Sequence, residues 1–148
     1  MNLGPAHLHL MLNHYAIFAA LFGAALLLAD VRAHARALRL AAYAIVISGA
    51  IMVIPTYITG VLAEDAIEGQ AGVTEAYVEP HEDVGRIMLF ITLLAGAASL
   101  VAVIRDRPEA DRAGAIRAAV IVLAIGAFAA GGYTALLGGE IHHPEIRP

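Results

Sequence analysis

Four stretches of this chain run for about 20 residues without an acid or a basic residue other than histidine, which is the length a helix needs to cross a bilayer. They cover roughly residues 8–29, 40–63, 87–104 and 118–139. The chain has 148 residues, 60% of them hydrophobic and only 15% charged. A soluble domain of this size has too little interior to hide that much apolar surface, so the bilayer must act as its solvent. The expected fold is all-α: a four-helix up-down-up-down transmembrane bundle forming a single domain over residues 1–148. The helices are expected at about 8–29, 40–63, 83–104 and 115–139, with an outer loop over 64–82. Short links force neighbouring helices to run antiparallel. The first stretch lacks a basic region before it and is followed by Asp30 and Arg32, so it reads as a retained span rather than a cleaved leader.

The charges give the bundle a direction. Arg32, Arg36 and Arg39 lie in one connection, and Arg105, Arg107, Arg112 and Arg117 in another, which accounts for seven of the nine basic residues. By the positive-inside rule both connections are cytoplasmic. The two termini and the 64–82 loop are then outside. Nine of the thirteen acids share that outer side: Glu64, Asp65, Glu68, Glu75, Glu79, Glu82, Asp83, Glu140 and Glu145. The expected location is a bacterial inner membrane, crossed several times, with lipid as the main surroundings and nucleic acid not a partner.

Absences narrow the chemistry. There is no cysteine, which removes disulfides, thiolate metal sites, Cys-ligated iron–sulfur clusters and covalently attached haem. With no lysine, Schiff-base and P-loop chemistry are also out. The two serines, Ser48 and Ser99, sit in apolar runs far in sequence from any acid or histidine. The spans carry no acid or arginine at mid-membrane, so no ion path is visible. Pro55 falls inside the second span and Pro108 in an inner loop. The segment Glu79-Pro80-His81-Glu82-Asp83 resembles a helix start, and Gly138-Gly139 resembles a helix end.

What remains is an asymmetry of histidine. Of seven, only His34 falls on the cytoplasmic side; His7, His9, His14, His81, His142 and His143 fall at the outer end. His7 and His14 are seven residues apart and share a helix face, while His9 points elsewhere. His14 is the deepest, and an imidazole facing lipid is costly, so it is expected to face the bundle interior with a partner. Against this stands the plainer alternative that interfacial histidines are simply solvated. His142 and His143, in a terminal tail, invite that alternative most.

The residues His9-Leu10-Met11-Leu12-Asn13-His14-Tyr15-Ala16 resemble the His-Pro-x-x-Val-His-Phe-Pro first-helix signature of a broad, poorly characterised bacterial family of four-span membrane proteins. The two signature prolines are replaced by Leu10 and Ala16. Pro55 through Gly60 resembles that family's Pro-x-x-x-Thr-Gly ending of helix 2, His81 its histidine at the start of helix 3, and Gly131 through Gly139 its glycine-rich end of helix 4. Members are sometimes joined to Rieske or cytochrome c modules, so the resemblance implies a link to respiratory electron transfer.

Three functions are compatible with these residues. One is a redox subunit binding b-type haem or quinone, with His14 and His81 as the natural pair, His9 and His7 as further candidates, and Tyr57 or Arg86 near a propionate or quinone head. A second is an outer-face site for a zinc, copper or iron ion built from His14, His81, Glu82, His142 and His143. The third is a cofactor-free accessory subunit packed into a homo-oligomer or a respiratory complex. Whether the chain is an enzyme is left open by its sequence.

Overall fold

A computed structural model describes residues 4–67, 69–70, 72–105 and 113–148. Glu68, Arg107, Pro108 and Arg112, which enter the sequence argument, lie outside the described residues. The chain folds into four long helices: α1 (Pro5–Ala33), α2 (Arg36–Ile67), α3 (Glu75–Ile104) and α4 (Ala113–His142), followed by a short 3-10 turn over Pro144–Ile146. All four are long and apolar enough to span a membrane. The all-α four-span bundle is therefore what the sequence led us to expect.

The helices outrun the apolar stretches. A helix of 29 residues, such as α1, is about 44 Å long, against roughly 30 Å of hydrocarbon. The surplus turns are polar, so hydropathy alone stops short of them. Helix α3 begins at Glu75, leaving Pro80 inside its first turns, and α4 passes through Gly138 and Gly139 to His142. The expected 64–82 loop shrinks to the few residues between Ile67 and Glu75.

Around the bundle the neighbours are α1–α2, α2–α3, α3–α4 and α4–α1, with denser packing inside the hairpins α1/α2 and α3/α4 than between them. Small residues make the close approach possible, as in membranes generally. A Cβ at Gly49 would lie 2.8 Å from the Ala19 Cβ, and one at Gly96 would collide with the Ala50 Cβ. The buried hydroxyls of Thr92 and Ser99 are satisfied by their own helix, donating to the carbonyls of Met88 and Ala95 at 2.7 and 2.8 Å.

Each end of the bundle has its own fastening. At the arginine-rich end Asp30, expected to lie just outside the first span, is instead 0% exposed. It accepts from Arg39 Nη1 of α2 at 3.2 Å and Arg117 Nη1 of α4 at 2.8 Å, so one carboxylate ties three helices. Apposed basic groups are what make such a burial tolerable. At the opposite end the tail does not float. Arg147 donates to the carbonyls of Glu140 and Ile141 at 2.7 and 3.0 Å, capping the end of α4, and to Gly72 at 2.9 Å. Its guanidinium also lies 4.1 Å over the Tyr77 ring.

Asp30→Asn should lower the unfolding free energy in detergent by on the order of 3 kcal/mol, because two cations lose their shared carboxylate. A thermal or denaturant melt with a wild-type midpoint would show that the triad does not fasten the helices.

Candidate functional site

The histidine-rich end encloses a cavity of about 370 Å³ with walls from all four helices. His9 of α1 and His81 of α3 meet across it. Their ring centroids are 6.4 Å apart and the ring planes are inclined at 80°. Each ring is fixed the same way. His9 Nδ1 lies 3.0 Å from the Thr56 carbonyl oxygen on α2, and His81 Nδ1 lies 2.9 Å from the Thr134 carbonyl oxygen on α4. A carbonyl only accepts, so Nδ1 of each ring carries the proton and donates. Nε2 is then the bare nitrogen, and among the described residues it has no protein partner.

The supporting residues repeat as well. Thr56 and Thr134 each turn their own hydroxyl back to the carbonyl four residues earlier, Met52 and Ala130, at 2.8 and 2.9 Å. One turn further along each helix is a glycine. A Cβ at Gly60 would sit 3.0 Å from the His9 ring, and one at Gly138 would sit 2.9 Å from the His81 ring. Each hairpin thus presents one imidazole, oriented by a threonine carbonyl and seated on a glycine.

The other expected residues divide. Tyr57 is half-buried and lines the cavity. His14 also lines the cavity, but it is exposed and its ring stacks on Phe18 with centroids 6.4 Å apart, away from the His9–His81 pair. The cause is rotation: five residues past His9 carries a side chain roughly 140° around the helix. His9, not His14, is the partner of His81. His7 is exposed and outside the cavity wall. Arg86 is also turned away and pairs with Asp83 on its own face of α3.

His142, His143 and Glu82 border the mouth, where the carboxyls of Glu82 and Glu64 meet each other. His143 Nδ1 is engaged by Glu145 at 2.9 Å. Glu145 is held below the usual carboxylate range, first by a backbone N–H and then by that imidazole. The five-residue ion site does not assemble: among the described residues no three His, Asp or Glu side chains converge.

Sequence reasoning passed over Thr134, Gly60 and Gly138 as supports. The signal was present, since Thr-x-x-x-Gly occurs at the same end of helices 2 and 4, as Thr56 to Gly60 and Thr134 to Gly138. Asn13 was also missed. It lies one turn below His9 in the cavity wall, and its buried Oδ1 has no hydrogen-bond partner among the described residues.

Comparison with known protein families, with curated proteins and with solved structures gives no match.

Imidazole ¹⁵N spectra of the full chain at neutral pH should show His9 and His81 as Nδ1–H tautomers. Nε2–H forms at either position would mean that the threonine carbonyls do not set the rings.

Proposed function

We propose that this protein is a membrane electron-transfer subunit that holds one b-type haem between His9 and His81. The observation that carries this is the spacing of the two rings. A metal–imidazole bond is about 2 Å, and each ring adds roughly 1 Å from nitrogen to centroid, so an ion held between two opposed imidazoles separates their centroids by roughly 6 Å. The rings here stand 6.4 Å apart.

The donor count favours haem over a bare ion. Zinc or copper sites draw three or four ligands from the protein. Here two imidazoles line one cavity with their planes inclined at 80°, and no third His or acid joins them among the described residues. Haem brings four nitrogens of its own and asks the protein for two. The Nδ1–H bonds to Thr56 and Thr134 are the outer-shell contacts that fix the tautomer of a ligating histidine and raise its basicity. The cavity volume is within the roughly 300–1,000 Å³ of small-molecule sites, and it is partly open at its mouth.

Bound haem would supply one-electron exchange. The protein's part would be to supply the two imidazoles, held through Nδ1 by the Thr56 and Thr134 carbonyls so that Nε2 stays unprotonated, and to surround the group with a largely apolar wall. On the positive-inside reading the site lies at the outer face of a bacterial inner membrane, within reach of a partner on that side. The resemblance to proteins joined to Rieske and cytochrome c modules points the same way.

Protein expressed with ample haem should show a Soret band and a low-spin ferric spectrum. The 80° ring angle predicts a strongly anisotropic electron paramagnetic resonance signal, unlike that of parallel imidazoles. His9→Ala and His81→Ala should each abolish the low-spin signal, while His14→Ala keeps it. Gly138→Ala should weaken haem retention by roughly tenfold, as loss of ligand support commonly does. A colourless wild-type protein, or loss of the signal in His14→Ala alone, would overturn the assignment.

A further inference from the structure

The two hairpins correspond through two fixed shifts in sequence. His9 and His81 are 72 residues apart, while Thr56 and Thr134, Gly60 and Gly138, and Arg39 and Arg117 are each 78 apart. One shift therefore carries α1 onto α3, and the other carries α2 onto α4. Burial follows the same shifts. Every buried position of α3 from Met88 to Ala102 falls on a buried position of α1, between Ala16 and Asp30. Val120, Ala124, Ala127, Gly131 and Ile141 of α4 fall on Ala42, Val46, Gly49, Val53 and Ala63 of α2, all buried. Burial alone would also match one heptad away, because a helix repeats its faces at that interval. A slip of that size would separate all four polar and glycine pairs, so these pairs fix the register, and they do so at both ends of the bundle.

The neighbour relations obey the same correspondence. The α1–α2 contact matches α3–α4, and α2–α3 matches α4–α1. Helices α1 and α3 run in one direction and α2 and α4 in the other, so the operation is a two-fold rotation about the bundle axis.

The departure from it is at Asp30. Its partners Arg39 and Arg117 are equivalent under the rotation, yet its own equivalent on α3 is Ala102. Ala102 is buried in one cluster with Leu27, Ala42 and Val120, which lie one turn from Asp30, Arg39 and Arg117 respectively. It thus stands in the layer next to the arginines. A rotation that exchanges the arginines turns residue 102 towards them as residue 30 is turned.

We infer that the chain is a fused pair of one two-helix unit with a self-complementary inner face, and that Arg39 and Arg117 form a single carboxylate seat on the two-fold axis, open to an acid from residue 30 or from residue 102. The partner that this face fits is a second copy of the same unit. The seat lies at the end away from the cavity and does not depend on what the cavity holds.

The test moves the acid within the full chain, in dodecyl maltoside, and reads the melting midpoint and the yield of monodisperse protein. Asp30→Ala should lower the folded-to-unfolded ratio by about 100-fold, because two partly buried guanidiniums lose their shared acid. Adding Ala102→Asp should restore most of that ratio, whereas adding Ala102→Asn should not. Adding Ser99→Asp instead, one turn along α3, should not restore it either. Since the moved acid needs room, a second variant carries its neighbour with it: Leu27→Ser, Asp30→Ala, Ser99→Leu and Ala102→Asp together exchange equivalent residues between the hairpins. Recovery in either transfer variant is the expected result. No recovery in both, equal recovery with Ala102→Asn or Ser99→Asp, or a wild-type midpoint for Asp30→Ala would overturn the inference. A haem-loaded protein in which the acid cannot be moved refutes this inference alone, whereas a colourless protein in which it can be moved refutes the haem proposal alone.

Discussion

Within each hairpin the helices come close enough for a side chain of one to reach a backbone carbonyl of the other. That approach is set by small residues, with Gly49 against Ala19 along the α1–α2 contact. The same closeness lets His9 reach the Thr56 carbonyl from α1 and His81 reach the Thr134 carbonyl from α3. A helical carbonyl has a second lone pair beyond the one used by its own helix, so the bond forms without breaking the ladder. The result is an imidazole held by a rigid backbone atom instead of a mobile side chain. Gly60 and Gly138 complete the seat, because any Cβ there would press on the ring.

The two hairpins then act as equivalent halves. Each brings a histidine on its first helix and a threonine and glycine on its second. Denser packing inside hairpins than between them leaves a slot whose two sides are the two halves. The weaker seams at the edges of the slot explain why the cavity reaches the bundle surface beside Leu10 and His14.

The ends differ in their electrostatics. At the arginine-rich end a fully buried Asp30 is held by Arg39 and Arg117, which stiffens α1, α2 and α4 against one another. At the histidine-rich end Arg147 satisfies terminal carbonyls of α4 and lies over Tyr77 of α3, drawing the tail against the bundle. The looser, open cavity is thus bounded by two fixed regions.

Much of this was legible in sequence. The apolar stretches determined four spans, because only helices satisfy every backbone group in hydrocarbon. The clustering of His9, His14, His81, His142 and His143 at one end followed from span order alone. Helix ends were not legible, because polar turns beyond the lipid carry no hydropathy signal; α3 starts at Glu75 and α4 runs through Gly138. Nor was the choice of histidine. His9 and His14 are both near the outer end of one helix, and which faces inward depends on where α2 and α4 sit around it. Rotation of α1 against its neighbours is fixed by Ala16, Ala19 and Gly23 packing on α2, a contact between segments distant in sequence. Sequence by itself determined a membrane bundle with imidazoles at one end; only tertiary packing decided that His9 meets His81 while His14 faces outward.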